Sequence, residues 1–439
     1  VSEDALDALS RLTRLIALDC YQGDLSTQVQ IAAGLRSTTA RIVSDAANAS
    51  TTAGQTAIVT LHNQLLMLGL QLEVDVPEIE LRVGQPPLVG GTLATALAEY
   101  ASDLIPGGSY SPTAPADIVF VIGDTPYKGA AVRVCGNDSH CSVFPNGAGF
   151  AGRWRGTSPF GPMAAATVAA ADGIRAALPR ISRLLDRPLV ADGRWQLDPA
   201  RSVHIDLSDY GDLTGARLDA VDLVSGGAIT SAAVYALLRV PGIEGELRVI
   251  EDDSLDVPNL NRYPLARLSQ ITMPKADLLA ALGSDRLRIV PVRERLAEVT
   301  LSAIGDLAPR VLVGVDDIAS RWVTQKAAAD SVLFVGATSH DFVYSSVHRP
   351  GEPCAGCAHP KADPSNDPIP TMSFVSMWAG LMQAMDLLAY VRSPAQRRDA
   401  VYLHPLALEH PRGIHRFVLD ANSACPVCCH AAGRLPTVA

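Results

Sequence analysis

Four cysteines stand in two distant pairs, Cys354/Cys357 and Cys425/Cys428, with two residues between the members of each pair. Thiolates at that spacing can be aimed at one point, and two such pairs complete a tetrahedral sulfur cage of the kind that holds zinc. A Pro/Gly-punctuated turn, Pro350-Gly351-Glu352-Pro353, precedes the first pair, and a strand-like Phe417-Val418-Leu419 precedes the second. Four thiolates leave no open coordination position, so the expected use is a structural Zn2+ that ties the end of the chain back onto its domain. Catalytic zinc and redox thiols are the competing uses of the same residues. Cys20, Cys135, Cys141 and Cys429 are left over; Cys135 and Cys141 share a polar stretch with His140 that reads as a loop, a cysteine pair or a second metal site.

A second constellation lies upstream. Val221-Asp222-Leu223-Val224 reads as a strand and Ser225-Gly226-Gly227-Ala228 as a small-residue turn into an apolar helix. Glu246-Leu247-Arg248-Val249-Ile250-Glu251-Asp252-Asp253 then reads as a second strand that ends in carboxylates. Strand, small turn, helix and acid-ended strand is the order of a nucleotide-binding βαβ unit. Small side chains let backbone N–H groups approach phosphates at a helix N-terminus, and the acid accepts from ribose hydroxyls. Taken alone, the pattern also fits a plain α/β core turn or an oxidoreductase that uses NAD. Downstream come Asp256-Val257-Pro258-Asn259-Leu260-Asn261-Arg262, Pro274-Lys275 and Val311-Leu312-Val313-Gly314-Val315-Asp316-Asp317-Ile318-Ala319-Ser320-Arg321. Singly, Arg262 and Lys275 also suit solvated surface charges, and Asp316 a helix N-cap.

In this order, and with nearly all these spacings, residues from about 221 to 430 resemble the ThiF/MoeB/HesA family, the adenylating domain shared with ubiquitin-activating enzymes. The family's run of motifs is a Gly-rich turn, acid-x-acid, S-N-L-x-R, a Lys thirteen positions later, D-N-x-x-x-R, P-G-x-x-P-C-x-x-C and a final CxxC; Arg262 and Lys275 are thirteen apart. The resemblance implies a Rossmann-like adenylating domain with a mostly parallel sheet and a structural zinc knot, joined to an N-terminal helical and α/β region. It implies ATP and Mg2+ as well as Zn2+. Gly226 and Gly227 fall on the phosphate turn, and Glu251 and Asp253 on the ribose-binding end of the second strand. Asn259, Arg262 and Lys275 fall on triphosphate-contacting positions, where cations offset charge during attack at the α-phosphorus. Asp316 falls on the Mg2+ ligand, with Asp317 where the family has Asn, so that either carboxylate could hold the ion. Arg262, Lys275 and Asp316 are the implied catalytic set.

Two departures stand out. Ser225, Ala228 and Thr230 occupy places usually held by Gly, which crowds the phosphate turn. Pro370-Thr371-Met372-Ser373 lies where thioester-forming relatives carry P-T-C, and a thioether cannot serve as a thiolate nucleophile. The implied function is ATP-dependent adenylation of a carboxylate, the C-terminus of a small ubiquitin-like protein or peptide, without a thioester at that position. A glycine-rich tail entering a narrow cleft is the expected substrate. The alternative is a non-catalytic peptide-binding partner of a peptide-modifying enzyme. Relatives often take an arginine from a partner subunit's N-terminal helix; Arg11 and Arg14 are candidates, and a solvated helix face is the plainer reading of both.

The elements that must position these residues are legible in outline. The chain has 439 residues, 48% hydrophobic and 19% charged, enough for two or three domains. Residues 1–75 read as a mostly helical block, 76–200 as α/β, and 202–439 as the adenylating domain. Leu88-Val89-Gly90-Gly91-Thr92-Leu93 echoes the turn after Val224, and Ala-rich Met163 to Leu178 echoes Val375 to Tyr390, so 76–200 reads as a decayed copy of the later domain. The arrangement is then either a homodimer or an internal pseudo-dimer. A net charge of −10 argues against nucleic acid as the partner. No membrane partner is expected, since no apolar run reaches the roughly 18–20 residues of a spanning helix. Val1-Ser2-Glu3-Asp4 lacks a basic n-region and the cysteines suit a reducing compartment, so a cytoplasmic location is expected.

Overall fold

The computed structural model describes residues 2–82, 84–106, 115–362, 369–410 and 413–428; Cys429 and most of the Pro106 to Pro115 break lie outside them. Two sheets organise the protein. The first has six strands in the order β2-β1-β3-β4-β5-β6: β1 Thr39–Val43, β2 Gln71–Asp75, β3 Ile118–Ile122, β4 Val132–Gly136, β5 His140–Pro145 and β6 Val203–Asp206. The second has eight in the order β14-β13-β12-β11-β10-β7-β8-β9: β7 Arg217–Val224, β8 Glu244–Ile250, β9 Leu287–Val292, β10 Arg310–Val313, β11 Val332–Ser339, β12 Phe342–His348, β13 Ala400–Leu403 and β14 Ile414–Phe417.

The two sheets share one plan. In the first, β2, β1, β3 and β4 run parallel, and β5 and β6 follow antiparallel. In the second, β8, β7, β10 and β11 run parallel, and β12 and β13 follow antiparallel, with β9 and β14 added at the edges. The helices match as well. Five helices carry the argument: α1 Ser10–Cys20, α2 Thr52–Met67, α3 Phe160–Leu185, α4 Ala228–Leu237 and, after a further helix, Ser373–Arg392. Helix α2 lies between β1 and β2 as α4 lies between β7 and β8, while α3 lies between β5 and β6 as Ser373–Arg392 lies between β12 and β13.

This plan moves the expected boundaries. The block read as helical also supplies β1 and β2, and the first sheet therefore begins at residue 39 rather than 76. The counterpart of the turn after Val224 follows β1. Leu88–Leu97 leads instead into a helix, Leu93–Ser102, behind an isolated bridge between Glu80 and Thr92. The physical reason is length: Thr-Ala-Arg-Ile-Val and Gln-Leu-Glu-Val-Asp are short, each interrupted by charge, and lie between strongly helical segments. The Ala-rich stretch sits in α3, at the place in its sheet that Ser373–Arg392 holds in the other.

One continuous core joins the two units. Across it the Tyr235 hydroxyl of α4 meets the Thr60 hydroxyl of α2 at 3.1 Å, and Arg175 of α3 donates to the Leu406 carbonyl at 2.6 Å. Ser373–Arg392 is long and apolar enough to cross a membrane, contrary to the expectation from the sequence, yet 89% of its apolar window is buried inside the protein as a core helix. It packs so closely on α4 that a Cβ at Gly380 would lie 2.6 Å from the Ala232 Cβ and against the Ile229 carbonyl. Gly380→Val should therefore lower the unfolding free energy by about 1–3 kcal/mol, read as a lower denaturant midpoint at constant slope. An unchanged midpoint would show that this contact is loose.

Candidate active site

The strand order reverses beside β7: the chain runs outward through β8 and β9, then returns to β10 on the other side. In open α/β sheets ligands bind in the crevice at the carboxyl ends of the strands at such a switch point. A cavity of about 440 Å³ opens there, and Arg262, Lys275, Asp316, Glu251, Asp253 and Gly227 all line it. The ends of β7, β8 and β10 and the segment between β8 and β9 thus bring residues from Gly227 to Asp316 to one wall.

The turn after β7 is rebuilt with side chains. Ser225 adopts φ +86°, a left-handed conformation that normally calls for glycine. Its hydroxyl accepts from the Gly227 N–H at 3.0 Å, and its carbonyl accepts from the Thr230 hydroxyl at 2.6 Å. Two of the residues that depart from the family's glycines therefore brace the turn. Glu251 reaches back onto it: Oε2 accepts from the Gly226 N–H at 2.8 Å and from the Ser225 hydroxyl at 3.3 Å, while Oε1 accepts from the Asp253 N–H at 3.1 Å. Gly226 does not itself line the cavity, but a Cβ there would press on the Glu251 Cγ and the Lys275 Cβ at 3.2 Å.

The cations converge from two other segments. Arg262 is buried, with its guanidinium donating to the Pro258 carbonyl at 2.6 Å and the Asn261 Oδ1 at 2.9 Å. Burial pushes its pKa down, while Tyr263 and Asp316 act in the opposite sense. Lys275 opens a short helix, Lys275–Ala280, and pairs its ammonium with the Asp253 carboxylate. Burial lowers the Lys275 pKa, but Tyr263, Asp253 and Glu251 together outweigh it and the net shift is upward, so this amine is held charged. Tyr263 lies between the two cations, 5.6 Å from the Arg262 guanidinium and 5.5 Å from the Lys275 ammonium, measured to the ring centre.

Asn259 is placed differently from expectation. Its side-chain oxygen accepts from the Asp256 N–H at 3.0 Å and closes a capping box around the turn Val257–Asn259, so it shapes the loop that carries Arg262 and does not line the cavity. The two acids after β10 also separate. Asp317 is the N-cap of α5, Ile318–Ala327, its Oδ1 accepting from the Ser320 N–H at 2.7 Å. The capping role considered for Asp316 belongs to its neighbour, and both acids line the cavity.

Other residues reach the cavity without a motif to announce them. Arg11 arrives from α1 of the first unit and donates to the Ile369 carbonyl at 2.9 Å, rather than standing on a solvated face. Arg14 does not line the cavity. Thr371 lines it with a buried hydroxyl that has no hydrogen-bond partner among the described residues. Met372, next along, is fully buried at the N-terminus of Ser373–Arg392, now designated α6, and is outside the cavity lining. The corresponding crevice of the first unit is filled. Asn48 is buried there, donating to Asp45 at 3.0 Å and Asp124 at 2.8 Å and accepting from the Trp154 N–H at 3.0 Å.

The four cysteines of the expected cage come together. Sγ atoms of Cys354 and Cys425 are 3.4 Å apart, those of Cys357 and Cys428 also 3.4 Å, and all four lie within 4.8 Å of one another. Tetrahedral bonds of about 2.3 Å to zinc imply S···S separations near ~3.8 Å, so the cluster fits that ion. N–H groups of Val427 and Cys428 both donate to the Cys425 Sγ at 3.3 Å, which favours its thiolate. Gly356 is required between the first pair, because a Cβ would lie 2.8 Å from the Cys425 Sγ. Among the described residues Cys135 and Cys141 join no metal-holding group; both are buried on the paired strands β4 and β5.

A largely parallel, Rossmann-like sheet with a polar cavity at its switch point and a cluster of four cysteines places the domain in the α/β class. The domain can be named: residues 219–427 match the model of the ThiF family and constitute a ThiF family domain. The protein y4jF of Sinorhizobium fredii (strain NBRC 101917 / NGR234), itself uncharacterized, is 27% identical over 250 residues, covering 56% of this chain and 45% of that protein. The match thus spans less than half of that relative's length. Among solved structures, E. coli MccB resembles this chain at a TM-score of 0.40 and 16% identity, over 50% of this chain and 68% of that one. MccB with ATP gives a TM-score of 0.39 at 15% identity, over the same shares.

Proposed function

We propose that this chain is an ATP-dependent adenylating enzyme that activates the C-terminal carboxylate of a peptide or small protein. The observation that carries the reading is the convergence, inside a ThiF family domain, of Arg11, Arg262 and Lys275 with Asp316 around one cavity. A carboxylate oxygen attacks the α-phosphorus, the bond to the bridging oxygen breaks, and pyrophosphate leaves with the electron pair. The attacking group is already ionised at pH 7, so no general base is needed. Arg262 and Lys275 stand where charge must be offset on the phosphates, with Lys275 exchanging Asp253 for a phosphate oxygen. Asp316 would hold Mg2+: a single protein carboxylate beside substrate phosphates is that ion's usual setting, and it would supply charge neutralisation at the leaving group. Gly227 and Ser225 would meet the phosphates, and Glu251 the ribose after leaving the Gly226 N–H. With Met372 buried, the reaction ends at the acyl adenylate or passes the acyl group directly to an acceptor. Zn2+ would be held by the four cysteines as a structural ion. Because Arg11 comes from the same chain, a monomer has the complete site.

One observation favours the second reading, a peptide-holding partner without catalysis: Glu251 occupies the Gly226 N–H and Ser225 the Gly227 N–H, which a phosphate would need. Pyrophosphate exchange with ATP and candidate peptide carboxylates decides between the two. The expected result is carboxylate-dependent exchange that Arg262→Ala and Asp316→Ala each lower by about 10²-fold. Calorimetry with ATP and Mg2+ that shows no binding would leave only the second reading.

A further inference from the structure

A second cavity, of about 760 Å³, adjoins the first and shares with it Arg11, Arg295, Asp316, Asp317, Arg321, Thr338 and Ile369. Its remaining wall has a different chemistry. The antiparallel register sets Tyr344 opposite Tyr402 and Ala400 opposite Phe417, and places the small residues Ala337 and Ser339 opposite Tyr344 and Phe342. Strand periodicity of two puts all of these on one face, while their neighbours Val343, Ser345 and Val401 turn to the other. The Ser345 hydroxyl bonds Asp386 of α6 at 3.1 Å, which identifies that other face as the one α6 covers. The aromatic face is therefore the one away from α6; on it Tyr344 is buried, while Phe342 and Tyr402 remain partly exposed. Three rings form the cavity floor: Tyr344 and Tyr402 lie 5.2 Å apart and Phe342 meets Tyr402 edge-on at 6.0 Å, while Phe417, outside the lining, stacks on Tyr402 at 5.2 Å and 17°. His359, from the cysteine cage, closes one side against Tyr344 at 5.0 Å.

A narrow channel for a glycine-rich tail would look otherwise. Here small residues on β11 leave depth, aromatic rings supply the floor, and guanidinium groups stand on the wall common to both cavities. We infer that this cavity seats a bulky apolar side chain, aromatic by preference, within the last three residues of the peptide whose carboxylate is activated. The inference rests on the proposed adenylation for the identity of the ligand. Charge complementarity fixes its direction: the terminal carboxylate meets Arg11 and Arg295 at the shared wall, beside the nucleotide cavity, and the chain behind it lies over Phe342, Tyr344 and Tyr402. A side chain that fills an apolar slot discriminates against glycine by about 10–100-fold.

The test uses the full chain and N-acetylated hexapeptides in which phenylalanine, leucine, glutamate or glycine is placed in turn at each of the last three positions, with a Gly-Gly-terminated peptide in the set. Pyrophosphate exchange is measured beside direct binding by fluorescence anisotropy in the presence of a non-hydrolysable ATP analogue. The expected result is that phenylalanine at one position raises kcat/KM about 10–100-fold over glycine. Tyr402→Ala and Phe342→Ala should raise peptide KM about tenfold at unchanged KM for ATP, and Tyr402→Phe should restore it. Equal use of Gly-Gly and aromatic peptides overturns the aromatic seat and leaves adenylation standing. Aromatic-selective binding with no exchange keeps the seat and removes adenylation. No binding and no exchange removes both, and a concentration-dependent dimer lost in Phe342→Ala would assign the face to a second copy and overturn the proposal.

Discussion

Arg11→Ala should lower carboxylate-dependent pyrophosphate exchange by about 10³-fold while leaving the melting temperature within about 2 °C of the parent. The guanidinium lies on the wall common to both cavities, tethered to the Ile369 carbonyl at 2.9 Å. Burial lowers its pKa and Asp316 acts to raise it, so it stays a fixed positive charge at the point where substrate carboxylate and phosphates must come together. Bringing two anions into contact is the main electrostatic obstacle to adenylation. A pre-positioned arginine that meets charge as it develops is worth about 10²–10³ or more in related phosphoryl chemistry. Arg14→Ala, one turn further along the same helix, should change exchange less than threefold. Since Arg11 and Asp316 belong to one chain, mixing Arg11→Ala with Asp316→Ala should not recover activity. Recovery on mixing would show that the arginine is exchanged between chains, and full activity of Arg11→Ala alone would remove it from the site.

The contrast between Arg11 and Arg262 shows what a sequence can carry. Arg262, Lys275 and Asp316 were legible because each sits in a short motif next to a strand end, where local spacing and the order of the strands fix where the side chain must go. The cysteine cage was legible for the same reason: each pair is local, and only their meeting is long-range. Arg11 bonds a carbonyl 358 residues away, and nothing near it in sequence distinguishes a cavity arginine from a solvated one. The aromatic floor is similarly dispersed, over β12 and β13 with Phe417 of β14 stacked beside it, and depends on their register. Asn259 is the opposite case. Its motif sets it near Arg262, but its side-chain oxygen closes a capping box that turns it into the loop, and it does not line the cavity. In the first unit β1 and β2 were missed because five-residue strands carry too little pattern to stand out between helices.

Removing zinc should do more than loosen the end of the chain. The cage is bolted to α5: the Gln325 Oε1 accepts from the Ala355 N–H at 3.0 Å, and the Trp322 indole donates to the His359 carbonyl at 2.8 Å. Helix α5 is the one that Asp317 caps, so the position of neighbouring Asp316 depends on a frame that a metal in the cage would hold. The cage also carries His359 against Tyr344 and retains β14, an edge strand paired only with β13. Structural zinc in small domains supplies about 10–16 kcal/mol of binding energy, comparable with the whole stability of a typical domain. Cys357→Ser or Cys425→Ser should therefore abolish bound zinc, measured by mass spectrometry, and lower the melting temperature by about 10 °C or more. Cys135→Ser and Cys141→Ser should keep the metal. Because the aromatic floor meets the cage directly through His359 while Asp316 leans on it only through α5, partial chelation should weaken peptide binding before ATP binding. A metal-free protein that melts where the parent does, with peptide affinity intact, would show that the four thiols are not a structural site.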